Sequence, residues 1–365
     1  MGCISYRYFL LELFSDHFAW NLELHHVLWT CIQLCPLDNW SILLLSVTST
    51  MNRHGHPILR RPDASSRIIA LGSIGVICQH SCREGEVIKA PLKHDLQGCN
   101  DEVIQYTLDE EEFSRLCFER EKHIYQILPK DPTILDCIAI TEHGLHFPYL
   151  QHGNLRHYLQ GHNPGISTET RHRWIAMAAR SITLIHSHGI VHADISARNF
   201  LVADDLSLKL CDFSGSAIGD QASLVAEEDR YCGSPDSPRS PLTDIFALGC
   251  LIFEIMTGLP PYHEVDDDDY KEIQHLFASG QFPPLDDLPY RSVVIKCWTF
   301  QYSSADEVLC EITQLMGEKT GKELSPWMSK FVRCLQQTED SFSDPINMTI
   351  LAFSTIAMLT WWYKR

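Results

Sequence analysis

The sequence predicts an α+β fold in two lobes, a small β-rich one followed by a larger helical one. Three observations lead there. Short β-type runs crowd residues 67–90, one helical pattern follows at Glu111–Leu128, and beyond Gly153 the apolar spacing is mainly helical. With 365 residues, 45% of them hydrophobic, the chain can bury a sizeable core without disulfides or metals.

Residues 1–52 are rich in Leu, Trp, His and Phe, with loose helical spacing at Phe9, Leu13, Phe14 and Leu22, and form an N-terminal extension without an assignable role. Residues 53–67 carry Gly55, Pro57, Pro62 and several basic side chains without periodicity, which reads as a linker. A domain spans 68–315, its first lobe 68–150 and its second 151–315. In the first lobe, Arg67–Leu71, Val76–His80 and Glu86–Ala90 read as strands, and two more apolar runs, Ile134–Thr141 and Leu145–Leu150, follow the helix. In the second, Thr170–His188 aligns Trp174, Ile175, Ala178, Ile182 and Ile185, and Thr243–Thr257 is apolar almost throughout, so both read as helices facing a core.

Residues 316–344 form a C-terminal linker or helix, and 345–363 carry no charge. A helix there would just cross a bilayer core of about 30 Å, with Trp361, Trp362 and Tyr363 at an interface. Two readings stand: a membrane tail with the domain facing the cytosol, or a last helix packed on the large lobe, which Asn347, Thr349, Ser354, Thr355 and Thr360 favour.

A net charge of -18 and a pI near 5.4 argue against a nucleic-acid partner held by phosphate neutralisation. The 14 cysteines are scattered, and Cys31/Cys35 and Cys78/Cys82 lack the second pair that a zinc site needs, so they read as reduced cytoplasmic thiols. Gly2-Cys3 is followed by Tyr6 where myristoylation wants Ser or Thr, and Glu12 and Asp16 break any secretory layout. Asp266–Asp269 reads as a solvated acidic turn, because no Gly or distal Glu completes a calcium loop.

The chemistry concentrates in two blocks. His192-Ala193-Asp194-Ile195-Ser196-Ala197-Arg198-Asn199 is followed, after Phe200-Leu201-Val202 and a short turn, by Leu208-Lys209-Leu210-Cys211-Asp212-Phe213-Ser214. The first resembles the catalytic loop of eukaryotic-type protein kinases, and the second resembles the strand leading into their Asp-Phe-Gly. Upstream, Glu86-Val87-Ile88-Lys89 looks like the strand whose Lys meets the α- and β-phosphates, and Phe118–Tyr125 like the helix carrying its Glu partner. Glu121 is the assigned partner and Glu119 its competitor, since residues two apart on a helix cannot both face Lys89. Leu145–Leu155 resembles the hinge between kinase lobes, with Phe147 as gatekeeper. Leu242–Tyr262 resembles the large-lobe helix, whose Asp244 would brace the catalytic loop, and this block favours a protein substrate over a small molecule.

What the resemblance implies is a protein kinase fold that binds ATP and Mg²⁺ and phosphorylates protein hydroxyls. Asp194 would be the base, with Lys89 and Arg198 also catalytic; Asn199 and Asp212 would hold the metal. Gly72, Gly75, Val76, Lys89, Glu121, Leu150 and Leu201 would line the ATP site. The chain departs from the family at several points. Leu71-Gly72-Ser73-Ile74-Gly75-Val76 keeps two of three loop glycines, which reduces phosphate coverage by backbone N–H groups. Ala193 replaces the Arg before the catalytic Asp, which disfavours activation through a phosphate on the following segment. Ser214 replaces Gly and stiffens that switch. The Ala-Pro-Glu motif is missing near Tyr231-Cys232, and Ala305 stands where its Arg partner is expected, so both members of an ion pair are gone together. Ser196 and Arg198 leave Ser/Thr and Tyr specificity open. A pseudokinase or ATP-binding scaffold is the alternative function. Ser234, Ser237 and Ser240, each followed by Pro, read either as sites for a proline-directed kinase or as a proline-stiffened loop.

Overall fold

The structure is a computed structural model and describes residues 56–320 except 64–65, 80–82 and 287, with the backbone alone at 318–320. The extension 1–52, the C-terminal linker beyond residue 320 and the apolar tail lie outside the described residues, while residues 316–320 end the last helix. Among the described residues, no helix is long and apolar enough to cross a membrane. These residues fall into two compact units: the first runs to Gln151 and adds Cys211–Ile218, and the second holds His152–Leu210 and continues from Gly219.

The first unit is a five-stranded antiparallel sheet with one long helix. Strands β1 (Ile58–Leu59) and β5 (His94–Asp95) pair separately, while β2 (Arg67–Gly72), β3 (Gly75–Gln79), β4 (Glu86–Ala90), β6 (Ala139–Thr141) and β7 (Gly144–Pro148) form the sheet in the order β2-β3-β4-β7-β6. Alternation sorts the side chains. Val76, Cys78 and Ala90 are buried on one face with Leu59, Ile68 and Leu71 packed against them. Ile77 pairs with Lys89, and Lys89 with Leu145, so these three share the other face.

Helix α1 (Asp101–Ile127) starts about three turns before the predicted Glu111. Asn100 caps it by accepting the Val103 N–H, and Asp101 and Glu102 complement the helix dipole in the first turn. The early turns escaped the periodicity because Tyr106 and Leu108 are exposed and carry no core stripe. Thr107, Ser114, Cys117, Glu121 and Ile124 recur every three to four residues, or at twice that spacing, and form its buried face.

The second unit holds helices α2 (Leu155–His162), α3 (Thr168–Ser187), α4 (Pro241–Thr257), α5 (Tyr270–Ala278), α6 (Arg291–Trp298) and α7 (Ala305–Thr320). Strand β8 (Ile190–Val191) leads into the His192–Asn199 loop, and β9 (Phe200–Val202) pairs with β10 (Leu208–Leu210). α4 starts two residues before the predicted Thr243: Pro241 opens it, and the Ser240 amide donates to Thr243 Oγ1 at 3.1 Å. Every residue from Asp244 to Ile255 is buried, and α4 packs on α6 and α3 while α3 packs on α7. An all-round apolar helix is thus the core of this unit.

Gly144 has φ 150° and faces the Lys89 backbone, where an added Cβ would overlap the Lys89 carbonyl oxygen. Gly144→Ala should therefore push β4 and β7 apart. The expected cost is more than about 2 kcal/mol, combining backbone strain with overpacking, read as a fall in the midpoint of thermal unfolding of the full chain. A midpoint unchanged within a degree or so would show that the sheet yields there freely.

Candidate active site

Lys89 organises the first unit. Its Nζ lies 2.7 Å from Glu121 Oε2 on α1 and 2.7 Å from Asp212 Oδ1. Burial works against the charge on Lys89, but Asp212 and Glu121 overcome it and raise its pKa, so the ammonium persists at any physiological pH. Burial likewise lifts the Glu121 carboxyl, and Lys89 pulls it back. The competing Glu119 is 51% exposed at its side chain and pairs with Lys122 instead. Two carboxylates on one ammonium leave a surplus negative charge, and Asp212 is the more exposed of the two. That surplus suits a hard cation.

α1 also fixes the segment that carries Asp212. Phe213 is fully buried and meets Tyr125 edge-on at 5.3 Å, while Tyr125 leans on Phe147 at 5.2 Å. The Arg120 guanidinium donates to the Ser216 carbonyl. Asp212 itself has φ 65°, a left-handed conformation costing about 1 kcal/mol in a non-glycine residue. The Ser214 hydroxyl donates to Asp212 Oδ1, so the residue that replaces glycine adds a tether no glycine could supply. Burial raises the neighbouring Cys211 thiol far above its ordinary range, which keeps it protonated and inert.

In the second unit, Asp194 and Asn199 meet. Asn199 Nδ2 donates to the Asp194 backbone oxygen at 2.7 Å and to its Oδ2 at 2.9 Å, which fixes the carboxylate and turns the Asn199 amide oxygen away from it. Beneath them, fully buried Asp244 accepts the His192 and Ala193 amides at 2.8 and 2.9 Å, and His186 Nε2 lies 2.8 Å from its Oδ2. Ala193 adopts φ 66°, and these bonds hold that strained turn in place.

Other predicted positions fall as follows. Gly72 and Gly75 flank the two-residue β2–β3 turn. Val76 is fully buried on the sheet face opposite Lys89, which removes it from the expected ATP-lining set; one residue of register makes Ile77 the position on the Lys89 face. Leu150 is half-buried just past β7, and Leu201 sits on β9 opposite Lys209. Arg198 Nε pairs with Glu228 Oε1 at 2.8 Å, so its guanidinium is drawn toward the segment after Asp212 rather than left loose in the loop. Asp267, from the acidic turn, pairs with Arg230, and among the described residues no group of three or more His, Cys, Asp or Glu could hold a metal.

Sequence reasoning missed a polar network in this unit. Arg156 reaches Glu228 at 2.7 Å and Glu254 at 2.9 Å, and the Tyr231 hydroxyl donates to Glu254. Buried Glu227 pairs with Arg239 at 2.7 Å. Both sets engage residues 227–231, beside the position where the Ala-Pro-Glu motif is missing from the sequence. The available signal was Arg239 among the Ser-Pro pairs, a lone basic residue in an otherwise uncharged-to-acidic turn.

Comparison with known proteins agrees with this geometry. A family model described as the protein kinase domain matches residues 109–340, more than half of the chain. The chain belongs to the protein kinase family. It is 27% identical over 164 residues to the serine/threonine-protein kinase PLK4 of Nematostella vectensis, covering 41% of this chain and 16% of that protein. It is 25% identical over 224 residues to the human receptor tyrosine-protein kinase erbB-4, covering 52% and 16%. With the serine/threonine-protein kinase PknB of Mycolicibacterium smegmatis, 31% identity extends over 98 residues, 24% and 16%. The chain thus spans about a sixth of the length of these relatives. The family match begins after Lys89, so the contacts of Lys89 with Glu121 and Asp212 are what tie β4 to the site.

Burial opposes the charge of Glu228, but Arg156 and Arg198 prevail and hold its carboxyl below the usual range. A depressed carboxylate stabilises the fold fully above its unfolded pKa of about 4.3, and that contribution is lost as pH falls through the lower folded value. Glu228→Gln should cost roughly 1–3 kcal/mol at pH 7 and flatten the acid limb of stability against pH. Thermal unfolding of both proteins between about pH 3 and 7 checks this; parallel acid limbs would show that Glu228 carries no linked charge.

Proposed function

We propose that this chain transfers the γ-phosphoryl group of ATP to Ser or Thr hydroxyls of protein substrates. One observation carries the reading: Lys89, Glu121 and Asp212, drawn from a strand, a helix and a distant loop, meet at 2.7 Å. Such a cluster is costly to bury unless its charge is used. Mg²⁺–ATP would supply the phosphoryl group and metal charge that Asp212 and Asn199 suit with oxygen donors. Lys89 would hold phosphate oxygens, with Glu121 keeping it aimed. Asp194 would orient the attacking hydroxyl and take its proton on the carboxylate, which Asn199 fixes by hydrogen bonds to Oδ2 and to the Asp194 backbone oxygen. Arg198, tied to Glu228, would set the loop beside the substrate; Gly72, Gly75, Leu150 and Leu201 would serve the nucleotide.

A second reading, an ATP-binding scaffold with little phosphotransfer, draws support from Asp212 Oδ1, which Lys89 and Ser214 both engage. For location, reduced thiols favour the cytoplasm, with residues 345–363 as the candidate attachment to an intracellular membrane. Deleting 345–365 should then release the chain from a membrane fraction, and unchanged partitioning would end the anchor idea.

The decisive assay follows phosphate transfer from ATP to a generic protein substrate by the full chain and by Asp194→Asn. The substitution should lower turnover by about 10²–10⁴-fold with ATP binding retained. Equal rates would reject catalysis by Asp194, and ATP binding without transfer by either protein would favour the scaffold.

A further inference from the structure

Ser114 has no counterpart among the residues that the sequence singles out, yet it stands at the junction of the first unit's working parts. It is fully buried on α1, seven residues before Glu121 and therefore within about 20° of it around the helix. Its Oγ accepts the Leu92 amide at 2.8 Å and donates to the Ile74 carbonyl at 2.9 Å. Leu92 follows Lys89 by three residues, two past the end of β4, and Ile74 is at the tip of the β2–β3 turn. Beside it, Gly75 lies so close to β4 that an added Cβ would sit 3.0 Å from the Ala90 carbonyl oxygen and 3.9 Å from Lys89 Cε. The contacts close a circuit: α1 to the turn through Ser114, the turn to Lys89 through Gly75, and Lys89 back to α1 through Glu121.

We propose that Ser114 is a positioning residue of the nucleotide site, fastening the tip of the β2–β3 turn to the helix that aims Lys89, and so setting the grip on the phosphates of ATP. This rests on the kinase reading above. The physical need is visible in the turn itself. With one of three loop glycines missing, its backbone alone covers phosphates poorly, and a tip free to swing away from Lys89 would cover them less. A buried hydroxyl with both its donor and its acceptor role filled restrains that swing, because lifting the tip breaks the bond to the Ile74 carbonyl and leaves a fully buried hydroxyl without its acceptor. The adenine and ribose ends of a ligand make no use of this restraint. The tether therefore acts on the phosphate end alone.

Calorimetric titration of the full chain with Mg²⁺–ATP and, separately, with adenosine tests this. Ser114→Ala should weaken ATP binding by about tenfold, the usual worth of one buried hydrogen bond, while adenosine affinity stays within about twofold. Ser114→Thr, which keeps the hydroxyl, should restore ATP binding. If the alanine variant does not fold, because the Leu92 amide is left unpaired, Ser114→Cys replaces it and should show a smaller loss of the same selectivity. Parallel losses for ATP and adenosine would reduce Ser114 to a structural residue, and undiminished ATP binding would remove the tether altogether. A wild-type chain that binds neither ligand would instead sink the kinase reading, and this inference with it.

Discussion

Two carboxylates on one buried ammonium are the constraint around which the first unit is built. A lone Lys89 on the central strand would cost several kcal/mol to bury charged. Glu121 and Asp212 remove that cost, and each brings its own element with it. Glu121 requires α1 to lie along the sheet with a fixed rotation. Asp212 requires a distant segment to return to the sheet edge-on to Tyr125, in a backbone conformation that its neighbours must hold. The sheet, the helix and the Asp212 loop are therefore one electrostatic object as much as one hydrophobic core.

In the second unit, polar braces do comparable work for the His192–Asn199 loop. Asp244 sits in a largely apolar helix, which it shares with buried Glu254, and spends its carboxylate on the His192 and Ala193 amides and on His186. Burying it is tolerable because its oxygens are met by these partners at hydrogen-bond distance. The Arg156, Glu228, Glu254 and Tyr231 network, with the Glu227–Arg239 pair, holds the segment beyond Asp212 without the family's usual ion pair. Arg198 joins the same network through Glu228, which links the His192–Asn199 loop to that segment.

Much of this was legible in the residues. His192–Asn199 and Leu208–Ser214 marked the loop and the metal-type ligands, and the spacing of Glu121 chose it over Glu119. The misreadings have separate physical causes. Val76 was assigned to the nucleotide side because a glycine-rich turn does not declare which way the next strand alternates, and one residue of register reverses the face. The first turns of α1 were missed because their apolar residues are exposed, leaving no periodic stripe. Ser114 and Glu227 leave no trace because a single Ser or Glu has no pattern of its own, and Arg239 is the one signal of its pair.

The sequence by itself determined the order of elements, the two-lobed plan and the candidate site residues. Each of these is written in local spacing, where helical or strand periodicity and short motifs leave a trace along the chain. Tertiary structure alone decided which groups meet: that Lys89 finds both carboxylates, that Ser214 ties Asp212, that Arg198 turns to Glu228, and that Ser114 pins the loop. Those choices depend on rotation, register and close approach between segments as far apart as Lys89 and Asp212, and distances of that kind have no signature in residue order.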